Sequence, residues 1–124
     1  MRAILTAGLF TLALSSGAQA MSLSVDWTGT KPCFDPESPL VTLQAVPKGT
    51  AKLHFHMTDL DAPSYPHGGG EVSYKGQSQL PKGAFRYKGP CPPAVHRYEW
   101  TVEALDTSGR PVGRAKVVVP FPSQ

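Results

Sequence analysis

One segment of the chain, L-H-F-H-M-T-D-L-D-A-P-S over residues 53–64, alternates between apolar and polar positions and ends in two acids and a proline. Leu53, Phe55 and Met57 fall on one side of this period-two pattern, which predicts a β-strand with one face in a core. Asp59 and Asp61 continue the same parity. Burying an unpaired carboxylate is costly. The pattern therefore leaves two alternatives: the strand ends in solvent, or the acids line a polar pocket at the end of the core.

A second segment, H-R-Y-E-W-T-V-E-A-L-D, begins at His96 and alternates strictly. Its apolar face starts with Tyr98 and continues along the strand, and His96 has the same parity. Here the polar groups come at the start of the strand. If the two strands are antiparallel, Asp59, Asp61, His96 and Tyr98 meet at one end of the same core. A shift of register by one residue would separate them.

The rest of the chain predicts more short strands and little or no helix. Thirteen prolines and twelve glycines interrupt it, and no apolar stripe of helical period follows the first twenty residues. The predicted strands cover residues 23–27, 41–45, 51–58, 71–74, 97–105 and 116–121. Short strands separated by proline and glycine turns predict an all-β domain, either a sandwich or a barrel.

The first twenty residues have the pattern of a secretory signal peptide. Arg2 supplies a positive charge, residues 3–14 are apolar, and Ala18-Gln19-Ala20 forms a cleavage site of the A-x-A type. The apolar run is shorter than the roughly 20 residues that a membrane-spanning helix needs. We therefore expect residues 1–20 to be removed and residues 21–124 to form one periplasmic or secreted domain. An uncleaved N-terminal anchor is the alternative.

The cysteine pair and the charge pattern narrow the class of protein. Cys33 and Cys91 both lie in the expected mature part, and in an oxidising compartment an even pair predicts a disulfide; two buried free thiols are the alternative. The formal net charge of +3 falls by one, to +2, once Arg2 is removed. Charges of both signs are interspersed, so neither nucleic acid nor an anionic membrane surface is indicated as a partner. No later segment is apolar enough to span a bilayer.

Six short motifs occur in an order that is typical of one family. They are C-F-D-P-E-S-P-L, V-P-K-G-T, D-L-D-A-P-S, Y-K-G-P-C-P-P, H-R-Y-E-W and A-L-D. In this ordered set the chain resembles the phosphatidylethanolamine-binding proteins, whose bacterial branch is called Raf-kinase-inhibitor-like. The resemblance implies a β-sandwich around a large central sheet, with a pocket for small anions and phosphorylated head groups.

The resemblance also implies which residues lie at the pocket. Asp59 and Asp61 match the aspartate motif, and His96 and Tyr98 match the H-R-Y motif. His67 is similar in position to a pocket histidine of the family. The loop beside them is shaped by Gly89, Pro90 and Pro92. The two motifs that contain Cys33 and Cys91 flank the pocket in the family, so the disulfide would tie them together.

The chain departs from the family pattern in three places. A long loop that partly roofs the family's pocket is reduced to residues 82–88. The sequence after the pocket histidine is G-G-G-E-V-S-Y, where the family usually has an apolar strand. A returning strand follows A-L-D, where helical material is usual. We therefore expect a shortened, exported bacterial variant with an open or degraded pocket.

An imidazole, a phenol and exposed backbone N–H groups suit a small anion, and the acids suit an amine or orient the imidazole. These residues predict a non-enzymatic binding protein for an anionic or phosphorylated ligand, without a cofactor. Two alternatives are a protein-interaction or inhibitory module with a vestigial pocket, and a periplasmic metal-binding protein. His54 and His56 share a strand face and can chelate, but their parity is opposite to that of the acids. We therefore predict a polar outer face there and no metal site.

Overall fold

The computed structural model describes residues 19–123. The predicted signal peptide therefore lies outside the described residues, except for Gln19 and Ala20. The described chain contains no helix and forms seven strands, which confirms the all-β prediction. They are β1 (Ser22–Asp26), β2 (Leu40–Gln44), β3 (Lys52–Asp59), β4 (Gly69–Ser73), β5 (Gln79–Leu80), β6 (His96–Leu105) and β7 (Pro111–Phe121). No helix that could cross a membrane is found between residues 19 and 123.

The strands form two antiparallel sheets. The smaller sheet has the order β1-β2-β5, and the larger one has the order β4-β3-β6-β7. In the larger sheet, β3 and β6 run antiparallel with Met57 opposite Trp100 and Asp59 opposite Tyr98. Residues directly opposite each other project from the same face of a sheet. The end of β3 and the start of β6 therefore lie side by side, as the parity argument required.

Buried and more exposed residues alternate along β3 and β6, so one face of each strand lies in the core. Leu53, Phe55 and Met57 are buried, and the intervening residues His54 and His56 are exposed. The buried face of β6 joins them in one core with residues of the smaller sheet. Trp27, just after β1, contacts the rings of Tyr98, Trp100 and Phe121 with centroids 6.0, 6.1 and 5.2 Å away. This aromatic cluster joins the two sheets near the end where β6 begins.

The structure differs from the predicted strands in two elements. The two-residue β5 was not predicted, because it depends on pairing with β2, where Leu80 lies opposite Val41, and not on a local pattern. The last strand begins at Pro111, five residues before the predicted start, and pairs with β6 almost throughout. Gly113 allows this longer strand, since a Cβ there would come within 2.7 Å of the Pro47 ring.

The predicted disulfide between Cys33 and Cys91 is confirmed. The two residues are 58 positions apart in sequence, and their Cα atoms are 4.1 Å apart. The bond joins the loop after β1 to the proline-rich loop that leads into β6. Both loops lie at the end of the domain where β3 ends and β6 begins.

Candidate functional site

The strand β3 ends at Asp59 because this side chain captures the backbone that follows it. One oxygen, Oδ1, accepts hydrogen bonds from the amides of Asp61 and Ala62 at 2.9 and 3.1 Å. Such local side-chain bonds compete with the ladder of a sheet and start a turn. Asp59 itself remains on the core-facing side and is 4% exposed. A buried carboxylate therefore marks the end of the core.

The second oxygen of Asp59 holds an imidazole in place. Oδ2 lies 2.7 Å from Nδ1 of His96, the first residue of β6. A carboxylate accepts hydrogen bonds, so Nδ1 of His96 is the donor and Nε2 is the nitrogen left for another partner. Both oxygens of Asp59 are thus engaged by the protein, which makes this residue a positioning group for His96.

A second imidazole is anchored in the same way from another loop. His67 is 5% exposed, and its Nδ1 lies 2.7 Å from the carbonyl oxygen of Lys88. A carbonyl oxygen only accepts, so Nδ1 of His67 donates and Nε2 remains available. The ring packs between Tyr65 and Tyr98, with centroids 4.7 and 5.6 Å away. These contacts bury the His67 ring, so it forms part of the wall of the site.

These groups border a cavity of about 190 Å³ at the end of the larger sheet. Its polar wall contains the Asp59 carboxylate, both imidazoles and Tyr98, and the remaining wall is largely aromatic or proline. The lining residues are Phe34, Asp59, Ala62, Tyr65, His67, Cys91, Pro92, Pro93, His96 and Tyr98. The cavity thus combines two oriented imidazoles with an apolar surface.

The phenol of Tyr98 lies beneath this site. Its side chain is fully buried, and its hydroxyl makes no hydrogen bond. Burial, together with the negative charge of Asp59, raises the pKa of Tyr98 well above its usual value. The hydroxyl is therefore protonated at any physiological pH.

Three of the residues expected at the pocket lie outside the cavity lining. Asp61 comes after the end of β3, so it no longer alternates with the core-facing residues of that strand. It forms an ion pair with Arg97, whose Nη2 lies 3.1 Å from Oδ1 of Asp61. The hydrogen bonds from the Arg97 side chain and amide lower the pKa of Asp61. Gly89 and Pro90 act on a neighbouring loop instead: the Gly89 amide donates to the Asp35 carbonyl at 3.0 Å, and the Pro90 carbonyl accepts from the Phe34 amide at 3.1 Å.

Two aromatic residues of the cavity were not predicted from the sequence. Phe34 and Tyr65 stack with their centroids 6.0 Å apart and an interplanar angle of 18°. The Lys88 ammonium lies 4.8 Å from both ring centroids, a cation–π arrangement. Phe34 has a φ of 49°, which is unusual for a bulky residue, and it is 44% exposed. Both residues lie on loops, where strand periodicity gives no signal.

The buried Asp35 fixes the loop that carries Phe34. Its carboxylate accepts hydrogen bonds from the amides of Lys31 and Glu37 at 2.9 and 3.0 Å and pairs with Lys82 at 3.1 Å. Burial alone would raise the pKa of Asp35, but these hydrogen bonds and the ammonium outweigh burial and lower it. The ionised form is therefore the one that the folded protein stabilises.

Asp35→Asn should destabilise the protein at neutral pH and lose that effect in acid. A lowered pKa contributes stability above the ordinary aspartate pKa of about 3.9, and this contribution is lost as the pH falls through the lower value of the folded state. Urea unfolding of both proteins between about pH 7 and pH 2 measures this, and the two free energies should converge at the acid end. An equal difference across the whole range would show that the charge of Asp35 is not what stabilises the loop.

The remaining histidines lie on the opposite face of the larger sheet. His54 and His56 are exposed, and His54 lies 3.4 Å from the Glu71 carboxylate. Between residues 19 and 123, no group of three or more histidine, cysteine, aspartate or glutamate side chains is arranged to hold a metal ion. These two histidines therefore form part of a solvated outer face.

Comparisons with known proteins agree with this architecture. No family model matches the chain, and no curated protein matches it. Among solved structures, a phosphatidylethanolamine-binding protein homologue from Chlamydia trachomatis matches with a TM-score of 0.59 and 20% identity, over 85% of this chain and 99% of that one. Escherichia coli YbcL, described as a member of the mammalian phosphatidylethanolamine-binding protein family, matches with a TM-score of 0.61 and 19% identity, over 86% of this chain and all of that one. The chain therefore has the fold of these proteins, as its ordered motifs predicted.

Proposed function

We propose that this chain is a shortened, exported protein of the phosphatidylethanolamine-binding type that binds a small anionic or phosphorylated ligand without catalysing a reaction. One observation carries the proposal. Two imidazoles, each anchored through Nδ1, border a single cavity and keep Nε2 for a partner. The names of the two structural neighbours, which describe binding proteins, agree with this class.

The chemistry of the two rings favours an anion. A neutral imidazole with a protonated Nδ1 offers only a lone pair at Nε2, whereas a protonated imidazole offers an N–H donor and a positive charge. His67 and His96 can therefore both donate to the same oxyanion when they carry a proton. Hydrogen bonds between charged partners are about twice as strong as those between neutral ones. Protonation of the rings thus couples anion binding to pH.

The lining residues support a binding role over a catalytic one. Within the part of the chain that the structure describes, the cavity is bordered by no serine, threonine or lysine, and Cys91 is held in a disulfide. Asp59, the acid that orients His96, uses its other carboxylate oxygen to accept hydrogen bonds from the backbone amides of the turn after β3. Among the described lining residues, neither imidazole therefore has a serine, threonine or free cysteine beside it, the pairing that activates those nucleophiles in covalent catalysis.

The disulfide and the N-terminal pattern support export. A disulfide between two loops persists in an oxidising compartment such as the periplasm or the extracellular space. The A-x-A motif at Ala18-Gln19-Ala20 is a cleavage site for the enzyme that removes signal peptides.

His96→Ala should weaken the binding of sulfate at least about tenfold, the scale of one hydrogen bond to a charged group. Sulfate keeps its charge over the range of about pH 5 to 8 in which imidazoles titrate, so the pH dependence reports the protein alone. In the unmodified protein, sulfate affinity should rise as the pH falls, because protonated imidazoles donate to the anion. Titration calorimetry at several pH values measures both effects.

His54→Ala is the matched control, since it removes an exposed imidazole from the opposite face. The charged groups near His96 are Asp59, Asp61 and Arg97. The charged residue next to His67 is Lys88, whose backbone carbonyl holds the imidazole in place. Equal losses in the two histidine variants, or no sulfate binding in the unmodified protein, would overturn the proposal.

A further inference from the structure

We infer that the cavity selects an organic anion with a flat apolar group, such as an aryl phosphate, over an anion that carries an ammonium, such as phosphoethanolamine. The inference rests on the proposed function and names the part of the ligand beyond the anionic group. Three features of the described residues lead to it: the acids at the site are already engaged, the aromatic pair already contacts a cation, and the cavity is larger than its anion-binding groups need.

The site offers no free carboxylate to an ammonium. Among the described residues that line the cavity, Asp59 is the only acid. Its Oδ1 accepts two backbone amides, and its Oδ2 accepts Nδ1 of His96. Asp61, the other acid of the motif, lies outside the lining and pairs with Arg97. An ammonium entering the cavity would lose part of its hydration and would meet a carboxylate whose two oxygens already accept three hydrogen bonds from the protein, which is unfavourable.

Aromatic faces can replace a carboxylate as a site for an ammonium, but here a cation already lies close to the aromatic pair. The Lys88 ammonium lies over both Phe34 and Tyr65, at 4.8 Å from each centroid. A second cation on this pair would be repelled by Lys88 at close range. The same ammonium attracts the anionic group of a ligand. Lys88 therefore favours the anion and disfavours an amine on the same molecule.

The space and the walls suit an apolar substituent. The cavity has a volume of about 190 Å³, and an apolar cavity of about 150 Å³ is enough to bind benzene. Phe34, Ala62, Tyr65, Pro92 and Pro93 supply the apolar part of its lining. Flat rings pack well against aromatic and proline surfaces, and such packing adds to the gain from burying apolar area. An aromatic group on the anion would use this wall, whereas an aminoethyl group would not.

Titration calorimetry with phenyl phosphate, phosphoethanolamine, inorganic phosphate and benzyl alcohol tests the inference. We expect phenyl phosphate to bind at least about tenfold more tightly than phosphoethanolamine, the factor that corresponds to about 1.4 kcal/mol. Inorganic phosphate should fall between them. Benzyl alcohol, which has the ring without the charge, should bind more weakly than phenyl phosphate.

Lys88→Met tests the reason for the preference. Removal of the ammonium frees the aromatic pair for a cation, so the ratio of phenyl phosphate to phosphoethanolamine affinity should fall to about threefold or less. Lys48→Met is the matched control, because Lys48 is an exposed lysine in the turn before β3, at the opposite end of that strand from the cavity. In that variant the ratio should stay unchanged.

The outcomes separate the two proposals. If phosphoethanolamine binds as tightly as phenyl phosphate, or if Lys88→Met leaves the ratio unchanged, the inference is wrong and anion binding stands. If benzyl alcohol binds as tightly as phenyl phosphate, the cavity is an apolar site and the proposed anion function is wrong. If none of the four compounds binds, both proposals are overturned.

Discussion

Replacing Cys33 and Cys91 together by serine is expected to lower the free energy of unfolding by about 4 kcal/mol. The bond closes a loop of 58 residues, and the chain-entropy relation for a loop of that length gives about 4 kcal/mol. Cys33 is exposed and Cys91 is partly exposed, so the substitution removes little apolar packing. A small domain is ordinarily stable by about 5–15 kcal/mol, so this loss would be a large share of the total.

Equilibrium unfolding in urea, with and without reductant, measures the loss. Reductant should lower the stability of the unmodified protein to that of the double variant and should leave the double variant unchanged, which controls for the substitution itself. The slope of the unfolding curve should increase in the variant, because an uncrosslinked unfolded chain exposes more surface. If the oxidised protein and the double variant unfold at the same urea concentration, the disulfide does not stabilise the protein by restricting the unfolded chain.

The disulfide also explains why one end of the domain can hold a defined cavity without a long covering loop. Cys91 lines the cavity, and Phe34, which follows Cys33, lines it from the other loop. The Phe34 amide donates to the Pro90 carbonyl beside Cys91. Loops with few buried contacts are ordinarily mobile, and the bond between them restricts that motion. These two tied loops form part of the wall of the cavity.

Strand periodicity predicted that Asp59, His96 and Tyr98 meet at one end of the core, and the structure brings these three residues together. Leu53, Phe55 and Met57 face the core, and the same parity carries Asp59 to a position opposite Tyr98. His96 follows because it lies two residues before Tyr98 on β6. A side-chain period of two is a strong constraint wherever one face of a sheet is buried. The convergence of Asp59, His96 and Tyr98 is therefore predictable without a structure.

Parity failed at Asp61 for a local reason. The Asp59 side chain bonds to the two amides that follow it, so the backbone turns before Asp61 can continue the strand. The sequence is compatible with this alternative, since an aspartate side chain commonly accepts a hydrogen bond from the backbone two residues further on. Period alone does not distinguish a strand that continues from one whose last side chain starts a turn.

The aromatic part of the site was not predictable from pattern. Phe34 and Tyr65 lie on different loops. The disulfide and the Phe34–Pro90 hydrogen bond hold the Phe34 loop against the proline-rich loop, and Lys88 of that loop contacts both rings. These contacts join residues that are distant in sequence and have no common period. His67 was found through the family resemblance, not through periodicity, and its burial depends on the same loop contacts.

Asp59→Ala is expected to lower the free energy of unfolding by about 3 kcal/mol, because leaving a buried donor without its acceptor costs about 1–3 kcal/mol. The substitution leaves three donors without their acceptor: the amides of Asp61 and Ala62, and Nδ1 of His96. It should also release the His96 ring from its fixed orientation. Urea unfolding measures the first effect, and the NMR signals of the His96 ring measure the second.

Two further variants show which role of Asp59 matters. Asp59→Asn retains an oxygen that can accept the turn amides, so it should recover a large part of the stability. Its NH2 group, which takes the place of Oδ2, cannot accept the His96 Nδ1–H, so sulfate affinity should be low. Asp61→Ala removes an exposed ion pair outside the cavity, and such pairs contribute little. If Asp61→Ala destabilises the protein as much as Asp59→Ala does, the turn and not the buried carboxylate holds this end of the sheet together. If Asp59→Asn binds sulfate like the unmodified protein, the orientation of His96 does not depend on the carboxylate.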